Sequence, residues 1–507
     1  MHTLTVSMLE NEFWWGGIIH HGRQMPLTAT STYAVDLARE AAGNQSSPLF
    51  VSTKGRYFHS AEPYQLTLAD GIFTLEGPAP ITLYQDGNTL ADAYYAAMKN
   101  PYKFSEAVPE KQFFTLPQYN TWIELLYDQN QEGVLDYARK LIQYGYPPGI
   151  LMIDDTWQED YGLWQWHPGR YPDPKAMMAE LKDMGFRVML WMVPFISPDS
   201  GPFREAWRNP KRLLRYEGGA PFMLQWWNGY SAMLDMTAEE DIAWMHGQLR
   251  HLQEEYGIEG FKFDGGSLQQ YQLCLGHVPG IDPARQAQGW MDIALCYPYH
   301  EMKDTWDAPG LPVVQRQRDK RHAWGDEGLA DILPDALALS VTGHAYFCPD
   351  MVGGGECDDF MHGQDVDAAL FVRMAQASAL FPMYQLSKAP WGVLDEKHNE
   401  LVRQASLLHA QFGEEIYELA CQCAKTARPL LTPLCFDYPN DGYETITDQF
   451  MLGKNILVAP VLTPGNERKV VFPQGNWQDA AGNVMQGPCE KMIAADIDTL
   501  PWYRRQG

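Results

Sequence analysis

From about residue 113, stretches with helical period alternate with short apolar runs, and this continues for about 300 residues. VLDYARKLIQYGYPPGILMIDD reads as an amphipathic helix, a Gly-Pro turn and a continuous apolar strand ending in two aspartates. The cycle repeats in AMMAELKDMGFRVMLWMVPF, DIAWMHGQLRHLQEEYGIEGFKFDGG, LPVVQR, LADILPDALALSVTGHAYFCPD and DAALFVRMAQASALFPMYQLS. Helix followed by apolar strand implies a parallel sheet buried on both faces. At this length, closure into a (β/α)8 TIM barrel is favoured over an open doubly wound sheet, and no GxGxxG follows the first strand.

The flanks have a different texture. Residues 1–112 hold short alternating segments (TLTVSML, SPLFVSTKGRYF, YQLTLADGIFTLEG, PITLYQDG) separated by Gly, Pro, Asn and Asp, the pattern of a β-sandwich. From 426 to 507, NILVAPVLTPG, RKVVFPQGNW and DAAGNVM predict a small C-terminal β domain, which leaves 113–425 for the α/β barrel.

A net charge of −26 excludes a polyanion-binding surface, so nucleic acid is not an expected partner. The chain lacks 18 continuous apolar residues and a basic-then-apolar leader, so neither a membrane nor secretion is expected and the predicted location is cytoplasmic. Eight cysteines in 507 residues, only Cys421 and Cys423 close together, predict reduced and mostly buried thiols. Nothing specifies an oligomeric state.

In a (β/α)8 barrel the reactive groups stand at the C-terminal ends of the strands. Acids stand there in MIDD (Asp154, Asp155), FKFD (Asp264) and CPD (Asp350). A single such aspartate is as readily a helix cap or an ion-pair partner, but three on one face indicate a site. Paired carboxylates suit glycoside hydrolysis, in which one attacks or activates water and the other protonates the leaving oxygen. That chemistry needs no metal or cofactor. The sequence has no HExxH, and no G-x-S-x-G elbow supports a serine hydrolase.

FKFDGG resembles the nucleophile segment of glycoside hydrolase family 31, and the resemblance runs from about residue 11 to 391. Its other pieces are EFWWGG, VSTKG, MIDDTWQEDYG with RYPDP, GFRVMLWMVPFIS, QWWNGYSAMLDMT, CPDMVGG and FPMYQLSKAPW. They are most similar to the branch with myogenesis-regulating glycosidase and bacterial α-galactosidases. The resemblance implies a retaining exo-α-glycosidase with Asp264 as nucleophile. It also implies that Asp154, Trp191, Trp227, Lys262, Lys303, Arg316 and Asp350 bind the sugar or orient those that do. Asp155, next along the strand, is expected to point away. Lys303 stands where the branch tends to have an arginine, and Gln385-Leu386-Ser387 replaces an Arg-Asn-His stretch of family α-glucosidases.

Two aspartates compete for the general acid/base. Asp319 precedes Trp324 by five residues and Asp350 by 31, spacings like those of the family. Asp326, in WGDEG, is expected instead to cap the helix starting near GLADIL. The sequence thus predicts Asp319 as acid/base and a small α-galactoside as substrate. An α-glucosidase, an α-xylosidase and a transglycosylase are the alternatives, and a non-catalytic sugar-binding barrel is disfavoured because both carboxylates are present.

Overall fold

In the computed structural model, which describes residues 1–40, 44–361, 363 and 365–506, eight parallel strands close into a ring. They are β1 (Gln118–Asn120), β2 (Ile150–Ile153), β3 (Arg187–Met192), β4 (Gly260–Phe263), β5 (Tyr299–Met302), β6 (Gln315–Arg316), β7 (Phe347–Cys348, resumed at Met351–Val352) and β8 (Gln385–Leu386). The first piece of β7 pairs with β6, the second with β8, and β8 pairs with β1. The break in β7 falls at Asp350, whose φ of 146° is a backbone conformation that residues other than glycine seldom adopt.

The helices begin where the sequence supplies caps. Those of α1 (Gln131–Gln143), α2 (Pro174–Asp183), α4 (Pro283–Leu295), α6 (Ala368–Ser378) and α7 (Glu396–Thr426) are Asn130, Asp173, Asp282, Asp367 and Asp395, each accepting a backbone N–H of the first turn. In α3 (Glu239–Tyr256), three acids in the first turn favour the helix dipole and Gly257 ends the helix in the left-handed region. In α5 (Leu329–Val341) all but two residues are buried, because it packs against the N-terminal domain, α6 and the strand Leu431–Thr432 of the C-terminal domain.

Several expectations require correction. Strands β1 and β5 have no apolar run to reveal them: QYN and YHEM are polar and buried. The strand read in LPVVQR is only Gln315–Arg316. No helix lies between β5 and β6; within 303–314, Thr305–Trp306 instead pairs in parallel with Gln45 and Ser46 of the N-terminal domain. Four of the eight cysteines are buried, and Cys296 is exposed.

The N-terminal domain has two sheets. One holds His2–Ser7, Ile72–Gly77, Gln65–Ala69 and Tyr33–Asp36; the other is built on Gln45–Ser52, Arg56–Ser60 and Ile81–Gln85, with Trp14–Ile18 on its side. Trp14 packs between them, 4.8 Å from Phe58 and 5.4 Å from Phe73 between ring centroids. The C-terminal sheet has six antiparallel strands and a core of its own around Leu457, Phe472, Trp477 and Tyr503. No helix among the described residues is long and apolar enough to cross a membrane.

Candidate active site

The strand register decides which side chains enter the barrel. Lys262 on β4 lies opposite Trp191 on β3 and Glu301 on β5, so these three belong to one inward layer. Asp154 continues the layer from the end of β2. Lys262 Nζ donates to Asp154 Oδ2 at 2.6 Å, and both side chains are buried. A buried lysine and aspartate at this distance neutralise each other, which makes their joint burial tolerable.

Asp264 stands at the tip of β4, where its amide donates to the Met192 carbonyl at 2.9 Å. Its Oδ2 accepts the Trp191 indole N–H at 2.9 Å. Burial raises its pKa, but Lys303, Lys262 and the indole hydrogen bond outweigh this and hold it below the ordinary aspartate value. The carboxylate is therefore ionised at neutral pH.

Lys303 follows β5 and pairs with Asp319 while its charge also acts on Asp264. Asp319 lies on the segment after β6 and accepts from Arg316 Nη1 at 2.8 Å as well. Burial raises its pKa, but the two cations prevail and lower it. Arg318 takes no part: it turns outward to Glu327.

Arg316 is the hub behind this pair. Its Nη1 also bonds Asp350, and its Nε lies 3.4 Å from Glu301 Oε1. Asp350 accepts from the Lys320 amide at 2.6 Å, and burial drives its pKa upward despite Arg316. Glu301 Oε2 accepts from Gln385 Nε2 at 2.7 Å. Sequence reasoning missed Glu301, because the strand that carries it was itself illegible.

These groups enclose a pocket of about 430 Å³ at the C-terminal end of the barrel, within the range for small-molecule sites. Asp154, Trp191, Trp227, Lys262, Asp264, Lys303, Arg316 and Asp319 all line it. Asp350 does not, contrary to a direct binding role; it sits behind Arg316. Asp155 lines it too, correcting the expectation that it points away. The chain leaves extended geometry after Ile153, with Thr156 at φ 72°, so strand alternation no longer applies.

Trp122, Tyr127 and the 355–361 segment complete the wall, and no motif had marked them. Exposure grades from Lys262 and Asp154 at the floor to Tyr127 and Trp227 at the mouth, 40% and 53% exposed. Gln385 and Ser387 serve the barrel interior: the first bonds Glu301, and the second accepts the Ile123 amide at 2.8 Å.

Asp326 lies outside the pocket. It is exposed and paired with Arg23 of the N-terminal domain, and it caps nothing, since Gly328 precedes the first residue of α5. The helix's own Asp331 accepts the Glu327 amide at 2.9 Å.

Residues 114–419 match the glycosyl hydrolases family 31 TIM-barrel domain, and residues 427–507 match the glycosyl hydrolase family 31 C-terminal domain. Mouse (Mus musculus) myogenesis-regulating glycosidase is 30% identical over 386 residues, which cover 74% of this chain and 54% of that protein. Alpha-glucosidase 2 of Bacillus thermoamyloliquefaciens is 28% identical over 415 residues, covering 75% and 51%. The chain thus spans about half the length of these curated relatives. A family 31 dextranase of Flavobacterium johnsoniae, complexed with glucose, shares the fold with a TM-score of 0.86 at 19% identity, over 100% of this chain and 66% of that one. With a family model spanning most of the barrel and a second spanning the C-terminal sheet, the chain belongs to glycoside hydrolase family 31.

Proposed function

We propose that this chain is a retaining exo-α-glycosidase in which Asp264 is the nucleophile and Asp319 the acid/base. The observation that carries the reading is the placement of these two carboxylates in one pocket, on strand-end segments, with Lys303 acting on both. Asp264 attacks the anomeric carbon as the bond to the leaving oxygen breaks, and Asp319 gives that oxygen its proton. Water then attacks the same carbon, Asp319 takes up the water proton, and Asp264 is released. The two inversions leave an α product from an α substrate.

Asp319 is a carboxylate in the free pocket, a state suited to the second half of the cycle. For the first half it must gain a proton as substrate enters and water leaves. The floor pair of Asp154 and Lys262 offers an acceptor and a donor to the hydroxyls of a terminal sugar, and the exposed Trp227 offers a flat apolar face. Among the described residues, six carboxylates and three cations line the pocket, which favours a neutral sugar over an anionic one.

We further propose a preference for α-galactosides. Supporting this, Gln385 and Ser387 are engaged within the barrel, and residues 385–387 present no counterpart to the hydroxyl-binding Arg-Asn-His of family α-glucosidases. The similarity to Alpha-glucosidase 2 favours α-glucosides as the second reading.

Nuclear magnetic resonance of early hydrolysis should show the α anomer first; the β anomer first would overturn the retaining mechanism. Asp319→Ala should lose most activity on poor leaving groups, keep more on activated aryl glycosides and regain part with azide. If Asp326→Ala behaves this way instead, Asp319 is not the acid. A kcat/KM about ten-fold higher for the α-glucoside, about 1.4 kcal/mol of discrimination, would replace the galactoside preference.

A further inference from the structure

Trp227 and Asn228 form the two-residue tip of a β-hairpin whose strands are Met223–Trp226 and Gly229–Met233. A glycine directly after a two-residue tip fits such a turn, and Gly229 takes a φ of 99°. A hairpin tip that presents an exposed tryptophan would ordinarily be free to swing. This one is fastened by its second residue. Asn228 Nδ2 donates to Asp155 Oδ2 at 2.6 Å and to the Tyr161 hydroxyl at 2.7 Å. Asn228 Oδ1 accepts from the Tyr127 hydroxyl at 3.1 Å. Tyr161 in turn donates to Asp155 Oδ2 at 3.1 Å.

One amide therefore ties together the segments that follow β1, β2 and β3, using its donors and its acceptor at once. Among the described residues the side-chain donors to Asp155 are all neutral, Gln158, Tyr161 and Asn228, whereas the neighbouring Asp154 is occupied by Lys262. Below the tip, aromatic contacts run from the mouth to the floor. Trp227 packs on Trp226, Trp226 on Tyr161 and Tyr161 on Trp191, with ring centroids 4.8, 4.8 and 6.0 Å apart. Trp191 is the residue that donates to Asp264.

We propose that Asn228 is a positioning residue that latches the Trp227 hairpin over the pocket mouth, so that the Trp227 ring is held ready to stack against the unit attached to the cleaved sugar. The inference rests on the exo-glycosidase reading, because the mouth holds the leaving unit only if the terminal sugar occupies the floor. Its consequence is selective. Losing the latch weakens substrates that fill the mouth and spares those whose leaving group is a single atom.

The test compares α-galactosyl fluoride, which leaves the mouth empty, with the disaccharide melibiose, together with hydrogen–deuterium exchange of residues 223–233. In Asn228→Ala, KM for melibiose should rise at least about ten-fold more than KM for the fluoride, and exchange in the hairpin should accelerate. Tyr161→Phe, which removes one partner without altering the turn, should shift both readouts the same way by a smaller factor. A purely structural role would lower Tm and reduce kcat/KM on both substrates alike, and that result would overturn the proposal. Unchanged hairpin exchange in Asn228→Ala would overturn it too. If the parent enzyme turns over neither substrate, the galactoside preference fails separately, the comparison passes to α-glucosyl fluoride and isomaltose, and the exchange measurement still decides whether the latch exists.

Discussion

Asp154 and Asp155 are adjacent, buried and turned to the same pocket, yet their partners make them different groups. Asp154 faces the Lys262 ammonium. Asp155 has neutral donors among the described residues, and burial, eased by the Gln158 hydrogen bond and aggravated by Asp154, raises its pKa from 3.8 to about 6. The sign of the linkage follows. A carboxyl whose pKa is higher folded than unfolded contributes stability that is full below the unfolded value and is lost as pH rises through the folded one. The unfolding free energy of the parent minus that of Asp155→Asn, from urea titrations, should therefore fall between about pH 4 and about pH 6, by an amount on the order of 2 kcal/mol. A difference that stays flat across that window would mean that Asp155 is not desolvated. The tag of chemistry on each residue thus came from its neighbours: DD is one motif in sequence and two environments in the fold.

At the scale of elements, β4 and β5 show how a barrel sets a site by close approach of backbones. A Cβ on Gly260, at the start of β4, would lie 1.8 Å from the Tyr299 carbonyl oxygen of β5, which is ladder backbone and cannot yield as a side chain could. Gly260→Ala is expected to destabilise the protein by about 3 kcal/mol and to lower kcat more than KM, since β4 carries Lys262 and leads to Asp264. Denaturant unfolding and kinetics check this; parent-like stability would mean that the strands are not so closely paired. The β5 strand also explains a failure of pattern reading. Tyr299, His300, Glu301 and Met302 are all buried, with His300 accepting the Val314 amide at 3.1 Å and Glu301 bonded to Gln385. Polar residues satisfied by distant partners erase the apolar run by which a buried strand is recognised.

At the scale of the whole molecule, the N-terminal domain reaches the catalytic machinery through Gln45. Its Nε2 donates to the Lys303 carbonyl at 2.7 Å and to the Arg316 carbonyl at 2.6 Å, so one buried amide spans the backbones of both cations that flank Asp319. The strand pairing of Gln45 and Ser46 with Thr305 and Trp306 fixes it there. Gln45→Ala removes two buried hydrogen bonds and leaves their acceptors unpaired, at a cost of about 2 to 3 kcal/mol. Activity should fall by more than the fraction unfolded explains, and the pH profile of kcat/KM should shift, because Lys303 and Arg316 set the charge on Asp319. A drop in Tm with an unshifted profile would confine Gln45 to a structural role.

The sequence by itself determined what local chemistry encodes. The long apolar strands β2 to β4 and the glycosidase motifs were legible because each is a short-range pattern of period and turn. That Lys262 and Asp264 face the same way was legible too, since a regular strand obliges alternate residues to share a face. Trp191 was expected from the resemblance alone and stands beside Lys262 by the register of two strands. Tertiary structure alone decided the rest. Asp155 enters the pocket because the backbone leaves the strand at Thr156. Asp326 is spent on Arg23 of another domain. Glu301, Gln45 and Asn228 act through partners 84, 271 and 73 residues away in the chain, at separations no local pattern can register. Buried polar groups must find partners, and which partner each one finds is fixed only when the strands, loops and domains have closed on one another.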